Sequence, residues 1–407
     1  MTKTQIANYS LTYLAIAFSS ISFFNFNEMN FAYLLIILFI FFNKNGLKVD
    51  KGFLVFLITL SIIVFAQFVK FSYFPVITTI GTYVRFIVPY FLIKLVGKEF
   101  PKYYVNLIFY LTIISFFFYF SSIVYPPLVS ILFRFADLVA VDFENAPRYQ
   151  NFIIYTVEPF NEGILRNAGF SWEPSSFSGF LNLALMFNTF RTGKYINKKN
   201  LYFILGIITT FSTAGYIVLA FFSISYIIFF YKSKIKFILV PTILFLTIYA
   251  YFTLDFLGSK VESQLEIAQG HSNVSRNRGR LGSGVVDLID VAEEPIFGRG
   301  RNIQTRYQDL SNLSAIEMHR TNGTTDFMIK YGILGFIVYF GMMFKSLKRM
   351  VIEYDFDRRF AFIGLITILL IGLSQTWFQH TIFVALIYYF MTFRGKGYYE
   401  HTNFVSQ

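Results

Sequence analysis

Arginine is the residue type in this chain whose placement could do chemistry. The stretch "SRNRGR", Ser275 to Arg280, packs Arg276, Arg278 and Arg280 together. Behind it Leu281, Val285, Leu288, Ile289 and Ala292 recur at helical spacing, while Asp287, Asp290, Glu293 and Glu294 take the other side. That pattern predicts a short helix near 281–294, lying on a membrane surface. An arginine in its first turn gains nothing from the helix dipole, which repels cations there. Beside free N-terminal amides, however, a guanidinium makes a seat for phosphate, which its planar fork grips through two oxygens at once. Pro295 then ends the helix, and Gly298 and Gly300 permit a tight return of the chain.

The elements that must carry these residues follow from composition. The 407 residues are 55% hydrophobic and 21% aromatic with only 14% charged, and the uncharged runs are longer than a soluble core helix needs. The expectation is an all-α polytopic membrane protein forming one integral domain over 1–407. Twelve spans are expected near 6–24, 29–42, 53–69, 76–96, 103–125, 173–190, 201–213, 214–231, 237–254, 327–344, 360–376 and 380–393. The first reads as a retained span, since no small-residue cleavage site follows it. Two larger loops, 126–172 and 255–326, face outward, the second partly helical. The net charge of +12 does not imply nucleic acid, because lysines and arginines gather in alternate short loops, a positive-inside pattern with both termini cytoplasmic. The same rule makes hairpins of 201–231 and 360–393, turning near Ser212 to Gly215 and at "SQTWFQH", Ser374 to His380. With no cysteine, disulfides and thiolate metal sites play no part.

The two basic residue types are sorted by face. All lysines except Lys70, Lys260 and Lys330 fall in the expected cytoplasmic loops, against only Arg191, Arg349, Arg358, Arg359 and Arg394 among the arginines. Topology needs only charge, so it does not explain an outer face rich in arginine; recognition of phosphate or carboxylate would, as would pairing with nearby Asp and Glu. Arg85 is the one charge near the middle of a span, at a cost of about 2.5–3.5 kcal/mol or more if unpaired, so it should face the bundle interior or a polar cavity. Glu173 and Pro174 suit the opening of a helix, yet a carboxylate at the membrane rim beside Arg166 can also serve as a general base. The one Asp-x-Asp triplet, Asp355 to Asp357, belongs to a cytoplasmic loop, and His271 and His380 read as incidental.

With these residues in view, the chain resembles the superfamily of O-antigen polymerases and O-antigen ligases, membrane glycosyltransferases of the bacterial envelope. The resemblance rests on Arg166 to Gly169 followed by Glu173 and Pro174; on the hairpin "TTFSTAGYIVLAF", Thr209 to Phe221, where Thr213 stands in place of a frequent arginine; on Arg280 followed after fourteen residues by Pro295, then Gly298 and Gly300; and on "HRTNGTTDFMIKYGILGF", His319 to Phe336, with Asn322, Gly332 and Gly335. It implies an inner-membrane polymerase that moves a growing glycan from undecaprenyl diphosphate to an incoming lipid-linked repeat unit on the periplasmic face. Arg280, Arg166, His319 and Glu173 are its implied catalytic residues. Arg280, Arg278, Arg276, Arg85 and Arg320 are its implied diphosphate ligands, with no metal and no other cofactor. A chain-length regulator and a flippase are the implied protein partners, beside membrane lipid. A ligase that transfers to the lipid A core, a flippase of lipid-linked oligosaccharide and a scaffolding protein remain as alternatives.

Overall fold

The computed structural model describes residues 2–21, 24, 27–46, 49–138, 150–157, 165–230, 234, 236–242, 245, 266, 280–307 and 322–393. Among them all regular structure is helical, and the one extended pairing is an isolated antiparallel bridge between Asn151 and Thr156. The chain runs α1 (Lys3–Ser20), α2 (Asn27–Asn45), α3 (Lys51–Phe71), α4 (Val76–Val96), α5 (Phe100–Val124), α6 (Pro127–Asp137), α7 (Pro174–Thr192), α8 (Lys198–Thr209) and α9 (Thr213–Phe230). It continues with α10 (Arg280–Glu293), α11 (Gly323–Glu353), α12 (Phe360–Gly372) and α13 (Thr381–Tyr388). The span expected at 237–254 lies largely outside the described residues, which show helix there at 236–242.

Local chemistry sets the boundaries. Thr2 and Gln5 cap α1 reciprocally, side chain to backbone in both directions. Pro101 and Pro174 sit in the first turns of α5 and α7, where a missing N–H costs nothing. Gly193, at φ 68°, closes α7 in the left-handed region.

Among the described residues four stretches are long and apolar enough to cross a membrane: Lys51–Phe71, Val76–Val124, Thr213–Phe230 and Gly323–Glu353. The second is interrupted at Gly97, where the 3-10 turn Gly97–Glu99 separates α4 from α5. Their outer faces carry apolar side chains that no protein covers, such as Phe65 at 65%, Ile77 at 82% and Phe117 at 68% exposure. Water would penalise that surface, whereas lipid accepts it, so the molecule is a helical protein built for a membrane. Lipid gives no hydrophobic drive between helices, so close approach through small residues matters more. Gly206 meets Leu181, Gly215 meets Ser178, and Gly179 lies against Trp377. All three contacts converge on α7, which is buried from Pro174 to Phe190 and forms the axis of the bundle.

Two departures from expectation concern the segments 126–172 and 255–326. The first of these, expected as loop, contains a helix, α6; Val129, Leu132 and Ala136 are its buried side, and the first two pack with Tyr155 and Val157 in a small satellite core. The helix near 281–294 is present as α10, and its apolar residues do point away from protein, with Leu288 and Ile289 about half exposed. A surface helix would leave its acids in water. Asp287 is instead completely buried against α11.

Helix α11 is itself broken. Gly332 adopts φ 66°, ψ −179°, a region open to glycine alone, and the chain 295–300 docks into the break. The amides of Ile333 and Leu334 donate to the carbonyls of Pro295 and Ile296, and those of Arg299 and Gly300 donate to Ile329 and Lys330. From α3, Gln67 donates to the carbonyls of Phe297 and Lys330 at 2.6 and 2.9 Å. A side-chain carbon at Gly332 would lie 2.1 Å from the Ile296 carbonyl oxygen, and one at Gly298 would lie 2.4 Å from that of Ile329. The two glycine motifs of the sequence are therefore two halves of one joint.

Candidate functional site

The N-terminal end of α7 is where the site begins. Glu173 occupies the cap position but makes no capping bond with its side chain, so the carboxylate is available elsewhere. Arg280, first residue of α10, reaches it with Nη2 at 3.3 Å from Oε1, and the Gln375 amide donates to the same oxygen. Both charged side chains keep about a third of their surface open, 28% for Arg280 and 32% for Glu173. Arg166, seven residues before Glu173, donates from Nε to the Thr210 carbonyl at 3.2 Å, on the α8–α9 turn. Its neighbour Asn167 donates to Ser115 and to Thr209, which ties this loop to α5 and to the same turn.

An aromatic partition continues from Glu173. Trp172 stacks on His380 at 5.5 Å and meets Trp377 at 5.6 Å. On the far side His380 and Gln379 line a cleft of about 340 Å³ together with Arg85 of α4. Among the described residues no carboxylate lies within ion-pair distance of Arg85, whose electrostatic neighbours are Arg301 and Tyr331. Arg301 follows the glycine joint and donates from Nη1 to Thr82 Oγ1 at 3.1 Å, one helical turn before Arg85. No carboxylate lies within ion-pair distance of Arg301 among the described residues, although Asp326 is near enough to act on it electrostatically, and it opens into a second cleft lined by Tyr331 and Thr82.

Beneath these arginines lies a neutralised cluster. Arg306 is 2.7 Å from Asp326 and 3.3 Å from Asp287, Lys330 is 2.6 Å from Asp326, and Thr325 donates to Asp287 at 2.8 Å. Burial opposes the Arg306 charge, but Asp326, Tyr307 and Asp287 outweigh it and hold the guanidinium above its ordinary range. Arg299 is bound in the same way by Asp290 and Glu293. Asn322 caps α11, accepting from the amides of Thr324 and Thr325, so its place in the sequence motif has a structural cause.

Of the candidates read from sequence, Arg280 and Glu173 are brought into contact, Arg166 is held on the adjoining hairpin turn, and Arg85 stands across the Trp172–His380 partition. Arg276, Arg278, His319 and Arg320 lie outside the described residues. His380, read as incidental, is half-buried, packs against both tryptophans and lines the Arg85 cleft. Arg301 was missed. The only signal for it was its position directly after Gly300, at the return of the chain. No protein-family model and no curated protein matches this chain.

Proposed function

We propose that this protein is a membrane glycosyltransferase that polymerises lipid-linked glycan, passing a growing chain from undecaprenyl diphosphate to a hydroxyl of an incoming lipid-linked repeat unit. The observation that carries this reading is the gathering of guanidinium about one region: Arg280 about one-third open at the head of α10, and, across the Trp172–His380 partition, Arg85 and Arg301 with no carboxylate at ion-pair distance among the described residues. In this reading the chain crosses the membrane twelve times, both termini are cytoplasmic, and the junction faces the periplasm.

The chemistry needs charge stabilisation. The bond from the anomeric carbon to the diphosphate oxygen breaks, and the electron pair leaves with the diphosphate. The acceptor hydroxyl oxygen bonds to that carbon and gives up its proton. Arg280 stabilises the departing diphosphate, a role for preorganised cations in a site of low dielectric. Glu173 is positioned to take the proton once Arg280 turns from it to the diphosphate, since each then loses its resting partner.

Replacing Arg280→Lys keeps the charge but removes the two-oxygen grip. Polymer formation in cells should fall by roughly 100-fold, while single-unit glycan and protein level persist. A normal ladder of chain lengths from this variant would remove Arg280 from the mechanism. Deleting the gene separates polymerase from ligase: the proposal requires cores bearing one repeat unit, and bare cores would contradict it.

A further inference from the structure

We infer that Arg301 and the Tyr331 hydroxyl, with Arg85 acting from the adjoining cleft, form a second anion seat that takes a phosphate group, apart from the Arg280–Glu173 pair. Charge bookkeeping points here first. Elsewhere in this region buried arginines are neutralised, Arg306 by two aspartates and Arg299 by Asp290 and Glu293. Arg85 and Arg301 instead oppose each other, with no carboxylate at ion-pair distance among the described residues. Like charges held together away from bulk water cost free energy unless an anion joins them.

A second observation is independent of charge. Tyr331 is 4% exposed, lines the same cleft as Arg301, and its hydroxyl has no hydrogen-bond partner. The neighbouring Thr82 hydroxyl already accepts from Arg301 and donates to the Thr78 carbonyl, so it offers Tyr331 only a shared acceptor. A buried phenol left without a good partner is destabilising, and a phosphate oxygen at this point would relieve that cost. Thr78, one turn before Thr82 on α4, adds a further hydroxyl to the wall.

The mouth of the cleft says what the phosphate is attached to. Phe68 and Phe74, at the α3–α4 turn, are 40% and 48% exposed and form an apolar lip beside the seat. A phosphate ester with a hydrocarbon stem fits both parts, and inorganic phosphate or pyrophosphate fits only the inner one. As the seat of the acceptor's own lipid diphosphate, which must be held while its sugar hydroxyl attacks, this inference rests on the polymerase reading; as an anion seat it does not.

The full chain in lipid nanodiscs, titrated with farnesyl diphosphate and followed by native mass spectrometry, tests it. The wild type should take up two molecules and Arg301→Gln one, with affinity at the lost seat reduced at least about tenfold. Arg85→Gln should do the same, and Tyr331→Phe should weaken the seat by a smaller factor, roughly threefold. Uptake of one molecule by Arg301→Gln certifies that this variant is folded, and Arg280→Lys should retain the Arg301 seat. Wild-type uptake by both Arg301→Gln and Arg85→Gln would overturn the seat. Inorganic pyrophosphate should bind there more weakly than farnesyl diphosphate; equal affinity would overturn the lipid as its source. Should the wild type bind one molecule and Arg301→Gln none, the seat stands and the Arg280 reading fails.

Discussion

Two groups of charges lie within a few turns of each other and follow opposite rules. Asp287, Arg306, Asp326 and Lys330 form a neutral, almost wholly buried set in which each charge has an opposite partner. Arg85 and Arg301 carry two positive charges and open into clefts. In a medium of low dielectric the first arrangement holds α10 and α11 in register. The second has no carboxylate at ion-pair distance among the described residues, and in the proposed reading an anionic ligand compensates its charge. An arginine's role is therefore read from whether its partner comes from within the fold or from outside it.

The comparison can be broken most directly at Arg306. Arg306→Met removes the cation that the buried Asp287 and Asp326 share, at a cost of about 3–5 kcal/mol; thermal unfolding in detergent should show a large fall in melting temperature. An unchanged melting temperature would erase the distinction between the groups. Gly332→Ala comes next, because the backbone conformation alone costs about 1–3 kcal/mol and the added carbon meets the Ile296 carbonyl. Moving the 295–300 chain should shift Arg301 as well, so phosphate uptake and stability should fall together.

Smaller effects sharpen the contrast. Arg85→Met removes a charge without a counter-ion, so the melting temperature should hold or rise while binding weakens, the reverse of Arg306→Met. A clear loss of stability would mean that Arg85 has a structural partner. Least of all, Glu173→Gln should cost under about 1 kcal/mol, because the Arg280 pair is one-third open to solvent, yet it should slow polymer formation strongly. Unimpaired polymerisation would leave proton acceptance to another group.

Much of the helical scaffold was legible in the chain. The expected span 76–96 coincides with Val76–Val96, and 53–69 falls within Lys51–Phe71, because hydrophobic length is a local property. The contact of Arg280 with Glu173 was half legible: both were candidates, but nothing in their spacing says that α10 folds over the head of α7. The inward side of α10 was misjudged because Asp287 reads as a solvated acid until Arg306 is known to reach it. Arg301 and His380 were passed over since each depends on α4, some 200 to 300 residues distant, for its meaning.

By itself the amino-acid order determined a lipid-compatible helical bundle, the glycines on which the chain must turn, and the segregation of arginine from lysine along the chain. Periodicity, backbone freedom and charge are carried by neighbouring residues, so they can be read along the chain. Only the tertiary structure decided which arginines are neutralised and which remain open. Ion pairing depends on distances of 3–4 Å between groups far apart in sequence, and the docking of 295–300 into the broken helix at Gly332 sets those distances.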